Sequence, residues 1–153
     1  MVFVRTALLL LPIVACSYKD DKVLRQYDVA LEPVRALVLE VTRQQPRLSE
    51  RRSAERLRAE VETHFLPLVL RLNNTLAGIE ATAEPIRPLH EELVSLWREY
   101  YELFEEFAED LSGPSLAEKR ARLGEGLERF AGRYQAWTLD FQALDEQVTG
   151  RGG

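Results

Sequence analysis

Two histidines, His64 and His90, are the side chains in this 153-residue chain that are best suited to metal or acid–base chemistry. A di-iron helical bundle uses Glu-x-x-His motifs, because residues three apart project from the same face of a helix. The residues three before the histidines are Val61 and Arg87, so the motif is absent. Glu60, one turn before His64, could still help to bind a metal ion. The alternative, which we favour, is that one or both histidines are structural, at the surface or partly buried.

The other catalytic motifs are missing from the sequence. Gly124-Glu125-Gly126 lacks the lysine and the preceding strand of a phosphate-binding loop, and no Gly-x-Ser-x-Gly elbow occurs. We therefore predict a non-enzymatic protein that holds neither a metal ion nor a non-covalent cofactor. The net charge of −5 also argues against a general nucleic-acid binder, which needs a basic face.

The single cysteine, Cys16, closes an apolar run at the start of the chain. Arg5 is the only charge before it, and residues 7–14 are apolar throughout. Such a run matches a signal-peptide core but is too short for a transmembrane helix, which needs roughly 20 apolar residues. The segment Ile13-Val14-Ala15-Cys16 resembles the lipobox of bacterial lipoproteins.

This resemblance implies that the chain is cut between Ala15 and Cys16, and that the sulfur of Cys16 carries a diacylglycerol group. Cys16 would then be the acylated N-terminus, and it could not join a disulfide or a zinc cluster. Two or three acyl chains make attachment effectively permanent, whereas one chain binds reversibly. The alternatives are ordinary signal cleavage with a free thiol at Cys16, and an uncleaved anchor over residues 2–15. Ser17 resembles the outer-membrane signal of enteric lipoproteins, so we expect the outer membrane, facing the periplasm, rather than the inner membrane.

Cleavage would leave 138 residues with a net charge of −6, because only Arg5 is lost. That length suits one domain, and its abundance of Glu, Arg, Leu and Ala favours helix. We predict a signal peptide over residues 1–15, a lipidated cysteine and short tether over 16–19, a helical domain over 20–149 and a flexible tail over 150–153.

Four amphipathic segments are predicted within that domain, because apolar residues recur at spacings of three and four. They cover about residues 20–44, 50–82, 84–111 and 115–149. Pro33 and Pro67 should kink the first and second helices. Short connections place sequential helices antiparallel, so we predict an all-α, up-down-up-down four-helix bundle. The aromatic residues of the third and fourth helices could line a ligand cavity, but at heptad spacing they are typical of core.

Antiparallel packing would bring three charged clusters to one end of this bundle, the end far from the lipid. The basic clusters begin the second and fourth helices, and the acidic cluster ends the third. Within them we single out a candidate partner-docking set: Arg51, Arg52, Arg56, Glu105, Glu106, Lys119 and Arg120. The alternative interpretation is that these charges are ordinary solvated helix faces.

The sequence therefore predicts a membrane-anchored envelope lipoprotein that binds or positions another envelope protein, because it combines a lipid anchor with a helical domain and lacks catalytic motifs. Kinks at Pro33 and Pro67 could let the bundle splay and admit a partner helix. In architecture alone this resembles the pilotin lipoproteins of secretion systems; no pilotin sequence motif is matched. The alternative is a lipoprotein whose helical bundle binds a small ligand or a metal ion.

Overall fold

The computed structural model of the chain describes residues 11–49, 53–109, 111 and 115–150. Within these ranges the structure is helical and contains no strand, which confirms the predicted all-α class. The elements are α1 (Leu11–Ala30), α2 (Glu32–Gln44), a 3₁₀ turn (Gln45–Ser49), α3 (Ala54–Glu60), a π turn (Val61–Phe65), α4 (Leu66–Ala77), α5 (Arg87–Ala108) and α6 (Ser115–Thr149). Of the predicted tail only Gly150 is described; its φ of 67° is the left-handed conformation that commonly ends a helix.

The first predicted helix, over 20–44, is two helices that meet at Leu31. Leu31 donates its N–H to the carbonyl of Tyr27 at 3.0 Å, and Arg35 N–H bonds the carbonyl of Leu31 at 2.9 Å. Pro33 lies in the first turn of α2, where its missing N–H costs least. At the other end, α1 begins at Leu11, so the backbone of residues 17–19, where we expected a tether, is helical in the uncleaved chain.

The second predicted helix, over 50–82, contains the π turn just before Pro67. Leu66 donates its N–H to the carbonyl of Val61, a bond one residue longer than that of an α-helix. Pro67 has no N–H to offer, and its ring would crowd the carbonyl four residues back in a regular helix. The wider turn removes that conflict, so the proline is absorbed with one local change of pitch. The helix ends at Ala77, five residues early, because Gly78 and the two asparagines before it are poor helix formers.

Contacts between α5 and α6 run in opposite directions along the two helices. Lys119 donates to the carbonyl of Glu109, and a Cβ built on Gly126 would touch Leu103. Further along, Trp137 Nε1 donates to the carbonyl of Leu89 at 2.7 Å. Advancing along α6 therefore means going back along α5, and the two helices are antiparallel. α4 packs on the other side of α5, α2 packs against α4, and α1 packs against α6.

The core is centred on α5, whose predicted apolar face is buried almost throughout. Phe65 packs on Phe104 with ring centroids 4.4 Å apart, and Trp97 meets Phe130 of α6 at 5.1 Å. The predicted stripe of α6 packs against this core but is less covered. Of that stripe only Trp137 is buried, and the others are half-buried: Leu123, Leu127, Phe130, Tyr134, Phe141, Leu144 and Val148.

Candidate functional site

Cys16 lies on α1, in a part of the helix whose side chains the structure does not describe. Lipidation at this position therefore stays a prediction from the sequence. None of the helices in the described part of the chain is both long and apolar enough to cross a membrane.

His90 is buried in the core, where it forms a polar pair with Tyr27 of α1. The hydroxyl of Tyr27 lies 3.1 Å from His90 Nδ1, and the two rings meet edge to face with centroids 5.7 Å apart. Burial lowers the pKa of His90, and the nearby Glu91 carboxylate offsets this only in part. Burial also raises the pKa of Tyr27, so the phenol keeps its proton. A neutral imidazole that accepts from a phenol satisfies both groups without a buried charge.

Three helices meet around this pair. Tyr27 also packs on Phe141 of α6 with ring centroids 6.0 Å apart, and Phe141 stacks on Trp137 at 5.5 Å. The indole of Trp137 donates to the carbonyl of Leu89, the residue before His90. These contacts give α1, α5 and α6 a shared register. A cavity of about 490 Å³ lies beside Tyr27, and its apolar lining includes Val23, Ala30, Ile79, Ala83 and Ile86.

His64 lies in a different environment from His90. It is exposed on the π turn, where it lines an open cavity of about 360 Å³ together with Arg56 and Glu60. The structure thus keeps Glu60 and His64 on one face, as the sequence predicted, and does not bring His90 to them. Among the described residues, no three His, Cys, Asp or Glu side chains lie close enough together to hold a metal ion.

The charged residues at the end of α5 and the start of α6 come together. Glu106 and Lys119 line one cavity of about 300 Å³, with Leu103, Phe107 and Leu123 forming its apolar part. Glu105 is exposed on α5 outside this cavity; burial and the Glu105 carboxylate raise the pKa of Tyr101. Arg56 belongs to the separate cavity on α3 and the π turn. Arg51 and Arg52 lie outside the described residues.

A second cavity of about 290 Å³ continues the α5–α6 groove past Leu103. Glu99 and Glu102 stand on the α5 side, and Arg129 and Arg133 on the α6 side. Glu99 and Arg133 form an ion pair across it. The groove therefore carries opposite charges on its two walls and an apolar residue between them.

Arg120 is half-buried, as Lys119 is, but only Arg120 of the described docking residues has buried side-chain nitrogens without a partner. Two of its guanidinium nitrogens, Nε and Nη2, are buried without a hydrogen-bond partner in the described part of the chain. From the sequence, Arg120 is predicted to be one of several surface charges in the candidate docking set. Its position could have indicated this burial, because Arg120 lies three residues before Leu123, on the apolar stripe of α6.

Comparison of the chain with protein-family models, with characterised proteins and with solved structures finds no match. Function must therefore be argued from the chain's own residues.

Proposed function

We propose that this chain is a bacterial envelope lipoprotein, held at a membrane by lipid on Cys16, whose helical domain binds or positions another envelope protein. The observation that carries the proposal is the segment Ile13-Val14-Ala15-Cys16 at the end of a short apolar run. Several acyl chains on one residue would fix the domain to the bilayer surface. Ser17 favours the outer membrane, facing the periplasm, as the site of attachment.

We infer that the domain is an antiparallel up-down-up-down four-helix bundle. In this topology α1 and α2 form one bent helix, and α3, the π turn and α4 form another. Two hydrogen bonds support a parallel diagonal pair: Tyr27 with His90, and Gln45 with Tyr100 at 2.9 Å. Positions thus advance along α1–α2 and α5 together, while the contacts of α5 with α6 run oppositely.

This topology puts the anchor and the charged cluster at opposite ends of the domain. Cys16 is near the start of α1, on the side where α5 begins and α6 ends. Glu106 and Lys119 lie where α5 ends and α6 begins. The 35 residues of α6, at about 1.5 Å each, span roughly 50 Å. The charged end would therefore face away from the bilayer, where a partner can reach it.

Site-specific photo-crosslinking in living cells tests the docking surface. A photoreactive amino acid replaces Arg56 or Glu105 at the charged end, or the exposed Glu80 near the anchored end as the matched control. The proposal predicts adducts with the same envelope protein from Arg56 and Glu105, and none of that mass from Glu80. Equal yields from all three positions, or no adduct from the charged end, would contradict a partner-docking role.

A second candidate, a ligand-binding bundle, is favoured by the cavity beside Tyr27. Its volume of about 490 Å³ is in the range of small-molecule sites, and its lining combines apolar residues with Gln26, Glu80 and Thr82. Thermal melts of the lipidated protein with haem, divalent metal ions and fatty acids separate the two functions. A specific ligand raises the melting temperature in proportion to the logarithm of its concentration, whereas a docking protein shows no such rise.

A further inference from the structure

Arg120 lies on the core-facing side of α6, near the start of the helix. Its neighbours one turn away, Leu116 and Leu123, both pack against the hydrophobic core. The side-chain nitrogens Nε and Nη2 each expose less than 1 Å², and neither has a hydrogen-bond partner among residues 11–49, 53–109, 111 and 115–150. A guanidinium group stays charged at every physiological pH, so burial cannot be relieved by losing a proton. In the described part of the chain this cation therefore has two buried nitrogens, Nε and Nη2, whose N–H groups donate to no partner.

The two unused nitrogens lie on the same edge of the planar guanidinium group. That edge carries two parallel N–H bonds, and their spacing matches the two oxygens of a carboxylate. We propose that Arg120 is the anchor residue of the docking surface and binds a single carboxylate side chain of the partner protein. This proposal deepens the proposed function and rests on it for the identity of the partner.

The surroundings favour a carboxylate over a more highly charged anion. Lys119 already donates to the carbonyl of Glu109, and Arg122 is paired with Glu118 at 2.7 Å. Glu106 and Glu109 line the cavity that Lys119 and Arg122 share. This end of the domain is therefore not strongly cationic, and a dianionic phosphate would be repelled by the carboxylates. A carboxylate carries a single negative charge, and its two oxygens can be bound by the free edge of Arg120 alone.

The donor edge of Arg120 is covered, so a carboxylate reaches it only after the side chain rotates. The residue as a whole is half-buried, although the two nitrogens are covered. A small rotation of the long side chain would present its edge to a partner without moving the helix. The partner's carboxylate would then accept hydrogen bonds from Arg120, in place of the bonds to water that the side chain lost on burial.

Two variants of the mature lipidated protein test this assignment: Arg120→Met and, as the matched control, Arg122→Met, which breaks an exposed ion pair. Arg120→Met removes the buried, unpaired guanidinium group and keeps an unbranched apolar side chain at this position. It should raise the melting temperature by about 4 °C. Arg122→Met should leave it within about 2 °C of wild type. A fall in the melting temperature of Arg120→Met would show that the guanidinium group is already satisfied, and would overturn the proposal.

Ligand chemistry is tested by melting the same proteins in sodium acetate, in inorganic phosphate and in sodium chloride at equal ionic strength. Acetate should raise the melting temperature of wild type and Arg122→Met above the chloride value, and leave Arg120→Met unchanged. No rise in wild type, or an equal rise in all three proteins, refutes the carboxylate site. A rise that depends on Arg120, measured as the difference between wild type and Arg120→Met, and that is larger with phosphate than with acetate refutes the choice of ligand.

Photo-crosslinking from Glu105 then separates the anchor role from the proposed function as a whole. Adduct yield should fall at least tenfold in Arg120→Met, and Arg120→Lys should recover only part of it, because an ammonium group cannot bind both oxygens in parallel. Unchanged yield in Arg120→Met overturns the anchor role while leaving partner docking in place. No adduct in wild type overturns partner docking, and the acetate melts still decide whether Arg120 binds a carboxylate.

Discussion

At Gly126, α6 packs tightly against Leu103 of α5, and replacement of this glycine by alanine tests the contact directly. A Cβ at Gly126 would lie 2.5 Å from Leu103 Cδ2, 3.1 Å from Cδ1 and 3.4 Å from Cγ. The Cδ2 methyl group of Leu103 would have to move away, and Cδ1 would have to shift by a few tenths of an ångström. Two other glycines of α6 provide matched controls, because a Cβ at Gly124 or Gly132 meets nothing within 4 Å.

The expected magnitudes follow from two opposing effects. Replacing a glycine inside a helix by alanine stabilises it by about 0.5–1 kcal/mol. We therefore expect Gly124→Ala and Gly132→Ala to raise the free energy of unfolding by that amount. At Gly126 the same gain is offset by overpacking, which costs about 1–3 kcal/mol. Leu103 borders the open groove and can move partly out of the way. We therefore expect the free energy of unfolding of Gly126→Ala to be at least about 1 kcal/mol lower than that of the two controls.

Urea unfolding followed by circular dichroism measures these differences, and about 1 kcal/mol corresponds to roughly 4 °C in melting temperature for a domain of this size. A double-mutant cycle with Leu103→Ala identifies the cause. In the Leu103→Ala background, Gly126→Ala should gain stability as the controls do, since the clashing atoms are gone. If Gly126→Ala stabilises the wild-type protein as much as Gly124→Ala does, the close contact between α5 and α6 is refuted.

The core polar groups give two further predictions. Because burial lowers the pKa of His90, the unfolded chain binds a proton that the folded one resists, so stability should fall as the pH drops below about 6.5. His90→Gln should flatten this fall between pH 7 and 5.5 in urea titrations, and His64→Gln, at an exposed histidine, should not. Tyr100→Phe removes the hydrogen bond to Gln45 and should cost about 0.5–1.5 kcal/mol of unfolding free energy. An unchanged unfolding midpoint would mean that Tyr100 and Gln45 do not interact in solution.

The sequence was most informative where local pattern decides the structure. The spacing of Leu93, Trp97, Tyr100 and Phe104 predicts a helix with one buried face, and α5 has it. Pro33 and Pro67 predicted where the path of a helix changes, but they did not predict the form of each change. Pro67 is absorbed by a π turn, because widening one turn relieves the crowding caused by the ring.

The parts that the sequence left undetermined depend on register between distant segments. Tyr27 and His90 are 63 residues apart, and either could have faced another polar group if one helix were shifted by a turn. Arg120 belongs to a run of charges that looks solvent-exposed. Its place on the apolar stripe of α6 indicates burial, but the lack of a partner for its guanidinium nitrogens follows only from how α6 is rotated against the core. Contacts of this kind depend on the three-dimensional packing of the helices, which one sequence does not supply.

Mass spectrometry of the protein purified from its native membranes tests the anchor on which the functional proposal depends. We predict an N-terminal peptide that begins at Cys16 and is heavier than its sequence by a diacylglycerol group, with or without an additional acyl chain. A peptide that begins at Met1, or a free thiol on Cys16, would contradict lipid anchoring and with it the proposed place of this protein in the cell envelope.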